Sequence, residues 1–190
     1  MIKMIRRALN IAPWNPIPEE KVIELDLGVW PEGGAPMPSL FQDEHDAALV
    51  FRAVSRASGV GGDGGGVVAI QGCSVAKFGY PNDEALGGHP LYSKGLGHYA
   101  FYEVEGSSWM RMMDEQNRVC FPNSSVWSGS RHFVITFHDS TFECVAASMS
   151  VAFTPDGYRD VLQRLATAWP QKSRDWIEQS PWSQFQWTRA

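Results

Sequence analysis

The sequence predicts an α+β domain with a mainly antiparallel sheet, a short middle helix and a C-terminal amphipathic helix. Three observations carry this. Apolar residues alternate with polar ones in several short runs, as half-buried strands require. A tight-turn sequence, His138-Asp139-Ser140, joins two β-rich runs, which suits a hairpin rather than a parallel crossover. Helical spacing is clear only near residues 109–117 and 158–169.

The elements follow in order. Residues 1–20 carry Pro13, Pro16 and Pro18, which prevent a continuous helix and predict an extended arm. In Lys21–Leu27, Ile23, Leu25 and Leu27 share one face and Glu24 and Asp26 the other, the pattern of a strand. Residues 31–38 hold three prolines and two glycines and read as a loop. Ala47–Ser55 fits a helix or a strand; a strand is favoured because a second β-rich run, Val67–Val75, follows one loop later. That loop, Ser58–Gly66, contains six glycines. It leads into Val67-Val68-Ala69-Ile70 with no Lys-Ser or Lys-Thr, so it reads as a flexible connection and not as a phosphate cradle.

Residues 79–97 form a long irregular stretch, and His98–Glu105 reads as a strand. Ser107 or Ser108 can cap a helix from Trp109 to about Asn117 with Trp109, Met112 and Met113 facing inward. Residues 120–131 are loop, and Phe133–Phe137 pairs with Thr141–Val145 in the hairpin. Thr154 is the expected N-cap of the last helix, with Pro155 at its first position. Tyr158, Val161, Leu162, Leu165 and Trp169 then recur at helical spacing until Pro170. The polar, Trp-rich tail 171–190 is expected to pack back on a single domain spanning 1–190.

Composition narrows the function classes. The chain is 44% hydrophobic and 19% charged, enough to bury a core and too apolar for a disordered chain. A net charge of −5 and no basic run longer than Arg6-Arg7 argue against a nucleic-acid partner. No stretch has the length of a membrane span, and no apolar stretch after Arg7 makes a signal peptide, so a cytoplasmic location is expected. Cys73, Cys120 and Cys144 are far apart and form no C-x-x-C pair, which excludes a disulfide framework and a thiolate zinc site.

The strongest functional suspects lie in and beside the irregular loop. It gathers Asn82, Asp83, Glu84 and His89, and a carboxylate beside an imidazole is apparatus for moving protons near neutral pH. Glu103 follows Tyr99 and Phe101 on one strand face; turned inward, it would be a carboxylate among rings, its pKa raised by desolvation. Turned outward, it would be a solvated neighbour of Glu105. Glu103, His89, Asp83 and Glu84 are therefore the candidate acid/base groups, with Tyr99, Tyr102, Trp109 and His138 as substrate-binding walls. His132, His138, Asp139 and Glu143 form a second cluster. A six-residue offset at ~3.3 Å per residue puts the two histidines about 20 Å apart on an extended strand, so no metal is expected. No G-x-S-x-G or G-x-G-x-x-G occurs, and no cofactor is expected.

Two segments, Gly79-Tyr-Pro-Asn-Asp-Glu-Ala85 with Gly88-His-Pro-Leu-Tyr92, and Arg131 through Glu143, resemble a family of uncharacterised bacterial proteins. The resemblance spans about residues 67–147 and includes the stretch from Glu103 to Trp109. It implies no activity, cofactor or substrate.

Two functions remain open from the sequence. One is a small cofactor-independent enzyme performing acid/base chemistry (condensation, cyclisation, isomerisation or hydrolysis) on a small organic molecule. The other is a non-catalytic binding or regulatory module that uses the Trp-rich tail and loops to hold a protein partner or to form a homodimer.

Overall fold

A computed structural model describes residues 19–56, 64–124, 126–179 and 181–190. The expected N-terminal arm, save its last two residues, and most of the glycine loop lie outside this range. Within it the chain is broadly α+β, with mostly antiparallel strands and two α-helices.

Eleven described strands form two sheets: β1 (Lys21–Leu25), β2 (Val29–Pro31), β3 (Ser39–Gln42), β4 (Asp46–Ser55), β5 (Gly64–Gln71), β6 (Val75–Gly79), β7 (Phe101–Glu105), β8 (Arg131–Thr136), β9 (Thr141–Ala146), β10 (Ser148–Gly157) and β11 (Thr188–Arg189). The helices are α1 (Ser108–Cys120) and α2 (Tyr158–Ala168). The first sheet runs β1-β7-β8-β9-β6. The second runs β11-β10-β5-β4-β2, with β3 also on β4. The chain crosses between them after β1, where Gly28 has φ +72°, after β5, at Gly72 with φ +63°, and between β9 and β10 at Ala147.

Alternation along each strand sends one set of side chains between the sheets. Phe101, Phe133, Ile135 and Phe142 of the first sheet meet Leu49, Phe51, Ile70 and Met149 of the second. The opposite side chains point outward and need covers. Tyr102, Val104 and Val134 are covered by Leu86, Leu91 and Leu96 of the irregular segment. Val50, Val67 and Ala69 are covered by α2 and by Trp176 and Trp182 of the tail.

Several elements depart from expectation for local reasons. Gly64, Gly65 and Gly66 are not loop but the start of β5. A Cβ on Gly66 would lie 2.3 Å from the ring of Phe51, and one on Gly64 would lie 2.3 Å from Phe153. The glycines are bare strand positions over which rings lie, not phosphate ligands. β7 begins at Phe101 rather than His98 because Tyr99 has φ +55°, outside the strand region. Thr154 and Pro155 belong to β10; the last helix has Gly157 at its N-cap, and Thr154 Oγ1 instead accepts from Asp156 N–H at 3.2 Å. α1 is capped by Ser107 as expected but runs on to Cys120; it buries Met113 while Met112 is exposed on its flank. Cys73 and Cys144 are buried, and Cys120 is exposed. Among the described residues no helix is long and apolar enough to cross a membrane.

Candidate functional site

The tight turn sets the site. Phe137 N–H donates to Ser140 carbonyl at 2.8 Å, and this closure pairs Thr136 with Thr141. Counting back along the ladder places Val134 opposite Glu143 and His132 opposite Val145. Glu143 and His132 are thus diagonal neighbours on the outward face of the first sheet. On the other side of β9, Lys77 is directly opposite Glu143. The irregular segment then lays His89 over the same spot, and the first turn of α1 brings Ser107 and Trp109.

The result is a buried polar relay. His89 Nε2 is 3.2 Å from Glu143 Oε1, and His132 Nε2 is 3.2 Å from Glu143 Oε2. His132 Nδ1 is 2.9 Å from Ser107 Oγ, which also accepts from Met110 N–H at 3.1 Å. His89 Nδ1 accepts from Leu91 N–H at 3.2 Å, so its Nε2 carries the proton and donates to Glu143. Lys77 Nζ lies 3.7 Å from Glu143 Oε1 and 3.8 Å from the centre of the Trp109 ring. That ring meets His132 edge-on, centroids 5.1 Å apart. The side chain of His132 is only 2% exposed and that of Glu143 11%.

Burial by itself would raise the Glu143 pKa. The hydrogen bonds from His132 and His89, with the charge of Lys77, outweigh it and hold the carboxyl well below the usual carboxylate range. Glu143 is therefore an acceptor only, and His132 Nε2 must donate to it. In a neutral His132 whose Nε2 donates to Glu143, the single hydroxyl proton of Ser107 is directed at Nδ1. One end of this relay reaches a cleft of about 370 Å³ where β7 turns through Gly106 into α1 and β8 begins; Ser107, His132, Met110, Arg111, Glu103 and Arg131 are on its wall.

The eight residues expected from sequence fall in separate places. Glu103 is not a carboxylate isolated among rings. It lies on the inter-sheet face with Phe101 and is held by Arg131, whose Nε donates to Oε1 at 2.7 Å and whose second guanidinium nitrogen bonds Oε2. Arg131 also donates to the Ala190 carbonyl at 2.8 Å and lies over the Phe133 ring. His89 has a carboxylate partner, but it is Glu143, across the sheet from Glu103. Asp83 accepts from the Tyr99 hydroxyl, is 3.8 Å from His138 Nε2, and is held below its ordinary pKa chiefly by Tyr99. That carboxylate pushes Tyr99 up to about 12. Glu84 is solvent-exposed. Tyr102 is 2% exposed inside the outer core and pushed up to about 12 by burial, so it is packing rather than a pocket wall. Trp109 does stand beside an imidazole. His138 occupies the hairpin turn, 2.9 Å from Asp139 Oδ1.

Glu143 and His132 belong to the second cluster, weighed for a metal and not for acid/base work, and Ser107 is expected only as a helix cap. The signal for the first two is the hairpin register: a turn centred on His138-Asp139 fixes which residue of β9 lies beside His132. Nothing local announces His89 as its partner, because that contact closes 54 positions of chain.

Size and chemistry disagree about where to look. A larger cleft, about 750 Å³, lies among the described residues at Asp43–Asp46, Gly72–Ser74 and Lys172–Asp175. Its central charges are engaged with one another: Asp46 accepts from Gly72 N–H, from Lys172 Nζ at 2.7 Å and from Trp176 Nε1 at 3.1 Å, and Lys172 also holds Asp43 at 2.9 Å. This network fastens the tail to the second sheet. Among the described residues no group of three or more His, Cys, Asp or Glu side chains is arranged to hold a metal ion. Comparison with protein-family models, with curated proteins and with solved structures finds no match.

Proposed function

We propose that the protein is a cofactor-independent enzyme performing general acid/base chemistry on a small organic molecule, with His132 as the group that carries the proton. The observation behind this is the position of His132: an imidazole withdrawn from water, one nitrogen on a hydroxyl at a cleft and the other on a carboxylate. A carboxylate held ionised stabilises the imidazolium that forms when such a ring accepts a proton. His89 and Lys77 fix that carboxylate from its other side, so the ring's orientation is set before any substrate arrives.

The alternative of a binding module that docks or dimerises through its tail has less support, since Trp176 and Trp182 are buried in the protein's own core. The test is turnover of a panel of small esters, lactones and β-keto acids by the full chain and by His132→Gln. Positioned acid/base groups contribute roughly 10²–10⁴-fold, so the variant should lose at least 100-fold while its circular dichroism is unchanged. Equal rates in the two proteins would sink the reading.

A further inference from the structure

We propose that Ser107 is a nucleophile, activated by His132 and Glu143, and that the substrate class is an uncharged, short-chain carboxylic ester. This rests on the acid/base reading above and specifies its reaction as acyl transfer to water.

The cap of α1 does more than a cap requires. A serine N-cap needs only to accept a backbone N–H, and Ser107 Oγ does so from Met110. An acceptor alone would serve that purpose. Yet its hydroxyl is also 2.9 Å from a ring nitrogen whose opposite nitrogen is 3.2 Å from a carboxylate. Hydroxyl, imidazole and carboxylate in line are the parts of an activated nucleophile, recognised by geometry rather than by sequence motif. Here the hydroxyl meets Nδ1 and the carboxylate Nε2.

Ser107 is only 5% exposed, and it lies on the cleft wall, the side from which a substrate would approach. The first turn of α1, beside it, already receives negative charge: Ser108 Oγ and the Ser108 backbone N–H both donate to the Glu20 carboxylate. Those two donors are spent on Glu20, so they are not free to hold a developing oxyanion. The wall also selects the acyl group. Arg131 is neutralised by Glu103, and Glu105 adds a negative charge to the same wall, which favours a neutral acyl chain over a second carboxylate or a phosphate.

The steps balance. Ser107 Oγ bonds to the ester carbonyl carbon as its proton passes to His132 Nδ1. The carbon–alkoxy bond then breaks and the leaving oxygen takes that proton, leaving acyl-Ser107 and an alcohol. Water attacks the acyl carbon, gives its proton to His132, and the Ser107–acyl bond breaks. The proton returns to Oγ, and the products are one carboxylic acid and one alcohol.

The test treats the full chain with a fluorophosphonate and with p-nitrophenyl acetate and maps the adduct by mass spectrometry. A single adduct on Ser107 is expected, formed at least ~100-fold more slowly in His132→Gln. Ser107→Asn keeps a capping acceptor but has no nucleophile; it should stay folded and lose the adduct completely. Absence of a Ser107 adduct overturns the proposal, whatever else is labelled. If His132-dependent turnover of the substrate panel survives that result, only the nucleophile falls; if both fail, the acid/base reading falls with it.

Discussion

Each sheet of the sandwich has an outer face covered by one helix and one irregular segment, and the two covers bury different chemistry. Over the second sheet, α2 and the tail contribute rings: Trp176 and Trp182 are 4.4 Å apart, and Trp169 meets both. The Trp176 indole N–H is met at the margin by Asp46, which Lys172 also holds. Over the first sheet, α1 and residues 80–99 contribute leucines at one end and the Ser107–His132–Glu143–His89 relay at the other. A cover made to seal needs only apolar volume. One that buries a carboxylate must supply every donor that carboxylate needs, and that cost is justified where a positioned charge has work to do.

Mutations should separate the two faces. The largest expected effect is on the sealed one. Trp176→Ala removes a fully buried ring and should cost about 3–5 kcal/mol in urea unfolding, without altering how fast the surviving folded protein reacts at Ser107. A selective loss of reactivity would show that the faces are coupled.

Next is Glu143→Gln, which turns an amide N–H₂ toward one of two imidazole donors. About 2–3 kcal/mol of stability should go, together with acylation. The pH dependence gives the same group a second signature. Its folded pKa lies below the unfolded value, so its contribution is fully present above the unfolded pKa of about 4.5 and is lost as pH falls through and below it. Urea midpoints measured from pH 6 to pH 3 should therefore drop less steeply in Glu143→Gln than in the wild type. Parallel curves would mean that Glu143 is not held ionised.

The hairpin was legible in the sequence, because the turn sequence His138-Asp139-Ser140 separates two β-rich runs, although its register comes only from the Phe137–Ser140 closure. So were β1, β4, the capped α1 and a tail that folds back. The start of the last helix was not, because β10 continues through Thr154 and Pro155 by pairing with β5, a partner outside the local sequence. The expected pairing of an acid with an imidazole has a counterpart in the structure, where His89 and Trp109 stand at the Glu143 cluster rather than with Glu103. Glu103 and Glu143 both interrupt apolar strands; which one meets a histidine depends on which face the irregular segment covers. Tyr99, with its positive φ, turns the chain so that this segment lies over the outward face.

A smaller effect sharpens that distinction. Glu103→Gln loosens a partly exposed pair with Arg131 and should cost at most about 1 kcal/mol, with labelling of Ser107 slowed far less than in Glu143→Gln. A large loss of reactivity in this variant would return the chemistry to Glu103 and away from the relay.

The most direct measurement is the position of the proton on neutral His132, read by long-range ¹H–¹⁵N correlation in ¹⁵N-labelled protein. With Glu143 ionised and accepting, the proton belongs on Nε2, and Nδ1 shows the shift of a bare nitrogen accepting a hydrogen bond from Ser107. A proton on Nδ1 would mean that the ring donates to Ser107 instead, and the relay could not take a proton from that hydroxyl.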